Sequence, residues 1–181
     1  MPKVEVLADR TGDRVGRIGS SDVPAILGLS SYKSPLKVWR IVTGRDPSDD
    51  LTRSLHVQLG VGCESLALAE YGHRMGVDIV SPGTHTHPDA SYITASADGY
   101  ADGAVVEVKT TFAKWPEPLP AHWCQAQWQA MVLTAAGTPV DALVVAVLRL
   151  GGRAPAAAES VTDGALVRTY DGPNTGDMLD A

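Results

Sequence analysis

The hydrophobic pattern of this chain changes at Val77, and this change constrains the fold more than any other feature. Helical periodicity dominates before it, whereas residues 77–111 form short runs rich in β-branched side chains. A predicted helix over 121–135 then precedes a buried apolar strand over 140–150. Helices and strands combined in this way predict an α/β fold, in which helices flank a central mixed β-sheet.

Three helices are predicted before the change of pattern. The first begins at Ser21 or Asp22, which are good N-cap residues, and ends at Gly28. The second follows the pair Ser34-Pro35, a common N-cap and first helical residue. Its inward side chains are expected to be Val38, Trp39 and Val42. The third helix is predicted over 55–71, although two glycines weaken it.

The runs at 91–96 and 104–111 are predicted to pair as a β-hairpin. The residues between them contain two Asp-Gly pairs, which are strong turn signals. Beyond the buried strand, residues 151–164 are expected to form a loop. A short strand is predicted at 165–170.

Composition excludes several classes of protein. The length of 181 residues suits one compact domain, so a single domain over 1–181 is expected. The longest apolar run, 140–148, is shorter than the roughly 20 residues that span a bilayer, so no membrane insertion is expected. Two cysteines and an N-terminus without an apolar segment favour a cytoplasmic protein.

The charge distribution indicates where DNA would bind. A formal net charge of −6 argues against a protein that coats nucleic acid without specificity. Residues 1–53, however, hold nine basic and seven acidic side chains, whereas residues 154–181 hold one basic and five acidic. A DNA-facing surface is therefore expected in the first third of the chain.

The segment from Ser96 to Lys109 contains the most informative chemistry. In an extended strand Glu107 and Lys109 leave the same face, because side chains alternate. The Asp-Gly turn returns Asp98 to the side of that strand. Two carboxylates beside one amine can hold Mg²⁺ and orient a water for attack on a phosphodiester.

A simpler interpretation of this segment stays open. Asp98 would then only cap a turn, and Glu107 and Lys109 would be an exposed pair on a strand.

Four motifs in order resemble the YqaJ-like viral recombinase and lambda exonuclease family of the PD-(D/E)XK nuclease superfamily. They are the helical stretch Ile18–Gly44, the Gly-x-x-x-Glu sequence ending at Glu64, Asp98 with Glu107-Val-Lys109, and the helical Gln125-Ala-Gln127. The resemblance covers about residues 14–135, and residues 151–181 form a variable C-terminal segment. It implies a restriction-endonuclease-like core for the predicted sheet.

The resemblance also implies roles for individual residues. Asp98 and Glu107 match the carboxylates that bind Mg²⁺, Glu64 matches the helical acid that completes the metal site, and Lys109 matches the lysine that positions or activates water. The backbone carbonyl of Val108 is expected to be a further ligand. Two ions are expected, and Mn²⁺ could replace Mg²⁺, because both metals accept oxygen ligands.

Family members of the lambda type also bind the 5′-phosphate of the degraded strand. Arg14, Ser21, Ser96 and Gln125 match the residues of that pocket, and Arg17 is an alternative to Arg14. Arginine offers a bidentate fork to phosphate and hydroxyl groups can donate to it. Ser21 would also lie at a helix N-terminus, which favours an anion.

The function implied is metal-dependent hydrolysis of DNA, as a 5′ to 3′ exonuclease on linear double-stranded ends. It would leave 3′ single strands for an annealing protein in phage-type recombination. Lambda exonuclease relatives form a homotrimeric ring, but this sequence ends soon after its last predicted strand, without the C-terminal helix of larger relatives. Whether the chain forms such a ring therefore stays open. Alternatives are a structure-specific or restriction-type endonuclease, a non-catalytic DNA-end-binding module, and a metal-stabilised interaction domain.

Overall fold

A computed structural model describes residues 14–51, 54–112 and 118–150, and the backbone of a last strand at 167–172. A 3₁₀ turn at Ser20–Asp22 leads into the helices α1 Val23–Ile26, α2 Pro35–Val42, α3 Leu55–Met75 and α4 Pro120–Ala135. The strands are β1 Thr84–His87, β2 Ala90–Ser96, β3 Gly99–Ala101, β4 Ala104–Thr111, β5 Ala142–Arg149 and β6 Val167–Gly172. The predicted α/β fold is confirmed.

A four-stranded mixed sheet forms the centre, in the order β3-β4-β5-β6. Strands β4 and β5 run parallel, with Glu107 beside Val145, and the two outer pairings are antiparallel. The parallel pair requires a crossover connection, and α4 lies within it. β1 and β2 form a separate two-stranded ribbon.

The core has one layer on each face of the central sheet. On one face α3 contributes Ala67 and Tyr71, which pack against Val106 and Val108 of β4. On the other face the apolar side of α4 packs against β4, β5 and the ribbon, through residues that include Ala95, Val105, Ala130, Leu133 and Leu143. Residues 104–108 of β4 are therefore buried on both faces, and Glu107 is the one polar side chain among them.

The predicted hairpin of 91–96 with 104–111 is wrong. β2 pairs with β1, a segment for which no strand was predicted, and β4 pairs with the short β3, which lies inside the expected turn. The second Asp-Gly pair explains the difference. Asp102 and Gly103 both have positive φ, 46° and 81°, which suits a two-residue hairpin turn between Ala101 and Ala104.

Two smaller predictions in the N-terminal helices are corrected. Ser21 lies inside the 3₁₀ turn and Asp22 is the N-cap residue of a four-residue helix, so little helix dipole is available there. In α2 the buried residues are Val38 and Ile41, whereas Trp39 is 46% exposed and lies under the guanidinium of Arg45. Val38 and Ile41 are three residues apart and share a helix face, whereas Trp39, next to Val38, lies on another face.

The other predicted elements are confirmed. α3 continues four residues beyond its predicted end, to Met75, and Gly76 ends it in the left-handed conformation. α4, β5 and β6 lie close to the predicted ranges. The predicted loop at 151–164 lies outside the described residues, and the single domain over 1–181 stays a prediction. No helix in the described part of the chain is long and apolar enough to cross a bilayer.

Two glycines of α3 should respond in opposite ways to replacement by alanine. A Cβ at Gly72 would lie 2.8 Å from the backbone oxygen of Val77, whereas a Cβ at Gly62 would meet nothing within 4 Å. We expect Gly72→Ala to destabilise the fold by about 1–2 kcal/mol. Gly62→Ala should stabilise it by up to about 1 kcal/mol, because alanine is the better helix former. Urea unfolding measures both, and a gain at both positions would contradict the close approach at Gly72.

Candidate active site

The candidate site lies where the edge of β4 extends beyond β3. The pairing of β3 with β4 stops at Val106, so the next residues of β4 have no β3 partner. Asp98, directly before β3, fills this place. Its Oδ2 accepts a hydrogen bond of 2.8 Å from the backbone N–H of Val108. Since the N–H and C=O of a strand residue point to the same side, the Val108 carbonyl faces this edge too.

Glu107 and Lys109 lie side by side on the α4 face of β4, as the alternation of strand side chains predicts. Lys109 Nζ donates to Glu107 Oε1 at 2.5 Å and to Gln125 Oε1 of α4 at 3.0 Å. Glu107 is only 1% exposed. Its second oxygen, Oε2, accepts from Gln129 Nε2 at 2.6 Å. Both oxygens of this buried carboxylate therefore have nitrogen donors.

A cleft of about 390 Å³ brings these groups together with an acid from the opposite layer. Its lining includes Glu64, Asp98, Glu107, Val108, Lys109 and Gln125. Glu64 reaches the cleft from α3. Gly60, one helical turn earlier, also lines it and leaves space there. The structure thus gathers all the predicted catalytic and metal-binding residues at one place, and their roles stay a prediction.

Burial and like charges shift the protonation of this cluster. Burial, together with the charges of Glu107 and Glu64, raises the pKa of Asp98 from 3.8 to about 8. Burial lowers the pKa of Lys109, but the neighbouring carboxylates, Glu107 first, outweigh it and the net pKa is raised. Lys109 therefore keeps its proton at neutral pH, while Asp98 resists losing its own.

The donor set suits a hard divalent cation. Three carboxylates face one lysine, and carboxylate oxygen is the ligand that Mg²⁺ prefers. Burial is the main reason for the raised pKa of Asp98 and the charges of Glu107 and Glu64 add to it, so a bound cation would favour the ionised carboxylate. Among the described residues no three His, Cys, Asp or Glu side chains are already close enough together to hold a metal ion. The metal therefore remains a proposal.

A second polar cluster surrounds Asp22, which is 2% exposed. Arg14 donates from Nη1 to Asp22 Oδ1 at 2.7 Å and from Nη2 to Ser21 Oγ at 2.9 Å. The structure therefore brings together Arg14 and Ser21, two of the predicted phosphate-binding residues. Arg17 is exposed on the neighbouring loop. The geometry favours Arg14 over Arg17 for this pocket.

The ribbon strand β2 contacts residues near both clusters. Thr94 donates from its backbone N–H to the carbonyl of Ile18 at 3.0 Å, and Ile18 lies four residues before Asp22. Ser96, two residues along the same strand, contacts Thr84 through its hydroxyl at 2.7 Å, and its carbonyl accepts from Gln129 Nε2 at 3.1 Å. β2 therefore contacts both the segment before Asp22 and the amide that binds Glu107, and no described contact joins Ser96 to Arg14.

Gln129 is the residue of this site that the sequence interpretation missed. Its side chain is fully buried, and its amide nitrogen joins the ribbon to Glu107. Its Oε1 has no hydrogen-bond partner. The available signal was its spacing of four residues from Gln125, which places both amides on one face of α4.

Asp98 should make the metal-free protein less stable as the pH rises. A folded-state pKa of about 8 means that the native protein binds more protons than the unfolded chain between about pH 4 and 8. Stability present at low pH is therefore lost across that window. Asp98→Asn removes the titration and keeps an oxygen acceptor for the Val108 N–H. We expect its advantage in melting temperature over the wild type to grow from pH 5 to pH 8.5 in EDTA.

The control for this titration is Asp46→Asn. Hydrogen bonding to Arg40 lowers the pKa of Asp46, so it stays ionised throughout the range. Its replacement should change the melting temperature by the same amount at every pH. Parallel curves for wild type and Asp98→Asn would contradict the assignment of a buried, proton-binding Asp98.

Comparison with known proteins finds one family model that covers most of the chain. Residues 11–136 match the profile of the YqaJ-like viral recombinase domain. The uncharacterized protein YqaJ of Bacillus subtilis (strain 168) is 32% identical over 99 residues, which are 53% of this chain and 31% of that protein. This chain therefore spans less than a third of the length of that curated relative.

Two solved structures share the fold. The alkaline exonuclease LHK-Exo from Laribacter hongkongensis aligns with a TM-score of 0.64 at 17% identity, over 89% of this chain and 79% of that one. The structure of LHK-Exo in complex with dAMP aligns at 0.62 and 19% identity, with the same coverage. The predicted restriction-endonuclease-like core is confirmed.

Proposed function

This chain belongs to the YqaJ-like viral recombinase family, and on that premise we propose that it is a metal-dependent deoxyribonuclease acting on the ends of linear double-stranded DNA. The observation that carries the proposal is the contact of Glu107, Lys109 and Gln125 beside Asp98 in one cleft. A carboxylate pair with a protonated amine is the chemistry that phosphodiester hydrolysis needs.

Each residue of the cleft has a distinct task in this proposal. Asp98, Glu107, Glu64 and the Val108 carbonyl would hold Mg²⁺ or Mn²⁺, with two ions expected. When bound, these ions supply Lewis-acid stabilisation of the attacking and leaving oxygens. Lys109 keeps its proton, so it orients the attacking water or the scissile phosphate as a hydrogen-bond donor rather than removing a proton.

The cluster at Asp22 supports the choice of an end-dependent enzyme. Arg14 and Ser21 offer charged and hydroxyl donors that suit a phosphate, and β2 contacts residues near both this cluster and the cleft. The relative in fold, LHK-Exo, carries the name alkaline exonuclease, and one of its two structures contains dAMP. We propose 5′ to 3′ digestion with a preference for 5′-phosphate ends, in the cytoplasm of a host or infected cell. The product would be a 3′ single strand for an annealing protein.

Digestion of defined DNA tests this proposal. The substrates are linear duplexes with a 5′-phosphate or a 5′-hydroxyl and a closed circular duplex, each with Mg²⁺ or with EDTA. We expect loss of linear DNA only, faster from phosphate ends and absent in EDTA. Cleavage of the circle would support an endonuclease instead. Binding of ends without digestion would indicate an end-binding module, and metal-dependent stabilisation without DNA binding would indicate an interaction domain.

A further inference from the structure

Asp22 holds two cations on a single oxygen. Arg14 Nη1 lies 2.7 Å from Oδ1, and Lys33 Nζ lies 3.6 Å from the same atom. The other oxygen of Asp22 accepts from the backbone N–H of Gly19 at 3.1 Å. This nearly buried carboxylate therefore fixes an arginine and a lysine from separate parts of the chain beside each other.

Lys33 is positioned for a ligand that is not part of the protein. Its distances to Asp22 and to Asp49, 3.6 and 3.9 Å, are longer than a hydrogen bond, so the ammonium can still donate elsewhere. The hydroxyl of Ser30 accepts from the backbone N–H groups of Tyr32 and Lys33, which fixes the turn that carries the lysine. The side chain of Lys33 is 22% exposed and can meet a ligand.

We propose that Lys33 is a terminal-phosphate-binding residue that acts together with Arg14 and Ser21. The inference rests on the proposed function. It assigns to Lys33 the recognition of a phosphorylated DNA end as opposed to a phosphodiester within the strand. A terminal phosphate monoester carries a charge of about −1.5 to −2 near neutral pH, whereas a phosphodiester within the strand carries one. A second cation beside Arg14 matches the additional charge that is present only at the phosphorylated end.

Hydrogen-bond geometry supports the same assignment. The Ser21 hydroxyl accepts from Arg14, which leaves its own proton available to a phosphate oxygen. Arg14 supplies a planar fork, and Lys33 supplies a compact point charge with three protons. In this proposal the three donors face one anion, and Asp22 holds the arginine and the lysine near each other.

Lys37 provides a matched control on the neighbouring helix. Its ammonium lies 3.5 Å from Asp46 and 3.5 Å from Asp49, with no contact to Asp22 among those described. Lys33→Met and Lys37→Met remove the same charge and keep similar side-chain volume. Lys33→Arg keeps the charge at the tested position.

The experiment measures the binding of short duplexes with 5′-phosphate or 5′-hydroxyl ends in EDTA, by fluorescence anisotropy. We expect the wild type to prefer the phosphate end and Lys33→Met to reduce that preference about tenfold. Lys37→Met should weaken binding of both ends equally, and Lys33→Arg should restore most of the preference.

The outcomes separate this inference from the proposed function. An unchanged preference in Lys33→Met, or no preference in the wild type, overturns the role of Lys33 even when linear DNA is digested. Loss of preference in Lys33→Met by a protein that digests no DNA supports the inference and removes the nuclease proposal. Loss of affinity for both ends to the same degree would indicate a general DNA contact and would also overturn it.

Discussion

Replacement of Lys109 by methionine is expected to reduce the rate of DNA digestion by about 10² to 10³-fold. Lys109 Nζ donates to Glu107 and Gln125, and its raised pKa keeps it charged at the point where the cleft opens. Methionine fills a similar volume and donates nothing. The charge that develops on the scissile phosphate would then lose its protonated partner.

The effect should appear in turnover and not in substrate binding. Lys109 has no described contact with Arg14, Ser21 or Asp22, so Lys109→Met should keep most of its affinity for 5′-phosphate ends in EDTA. Lys37→Met is the control for loss of a lysine, and at saturating DNA it should keep its rate. Circular dichroism establishes that both variants fold. Retention of more than a tenth of the wild-type rate by Lys109→Met would contradict the proposed role.

Local rules predicted the centre of the site correctly because they do not depend on distant pairing. The period of two along a strand places Glu107 and Lys109 on one face wherever the strand lies in the sheet. The buried apolar neighbours Val106 and Val108 then fix which face that is. The return of Asp98 to the same strand needed only a turn within ten residues.

The ribbon could not be predicted by the same rules. Asp98-Gly99 and Asp102-Gly103 are equally strong turn signals. Which of them forms the hairpin turn depends on how the strands before and after them pack against α4. The buried Ala95 and Ala97 pack there with Val105. The predicted hairpin paired the wrong strand with β4. Asp98 was still placed correctly, because the chain beside it returns to β4 in the predicted hairpin and in the observed β3–β4 pair.

The choice between Arg14 and Arg17 also required the folded structure. Both arginines lie in the same glycine-containing segment, and Arg17 is the nearer of the two to Ser21 along the chain. The difference comes from Asp22, whose carboxylate is buried and attracts the arginine that can reach it. Nothing in the local sequence indicates that Asp22 is buried.

Gln129 is expected to influence turnover although it lines no part of the cleft described above. Its Nε2 donates to Glu107 Oε2 at 2.6 Å and to the Ser96 carbonyl at 3.1 Å. Both acceptors require a donor, so the orientation of the amide is determined and its Oε1 faces no partner. This amide holds the carboxylate so that its other oxygen meets Lys109. Gln129 is thus a positioning residue for Glu107.

Gln129→Met should lower the rate of digestion by about 10 to 100-fold. A hydrogen bond to a charged group contributes about 1.5–3 kcal/mol, and each 1.4 kcal/mol is a factor of ten in rate. The loss in thermal stability should be smaller than this energy suggests, because the substitution also removes the unpartnered Oε1. The Mg²⁺ concentration for half-maximal rate should rise, since Glu107 is no longer held in place.

Two further variants decide between positioning and simple packing. Gln129→Glu keeps the shape but sets a second carboxylate against Glu107, so it should lose more activity than Gln129→Met. Gln58→Met makes the same change at an exposed site on α3 and should leave rate and metal requirement unchanged. If Gln129→Met loses stability but keeps its rate and Mg²⁺ requirement, the amide serves the core alone.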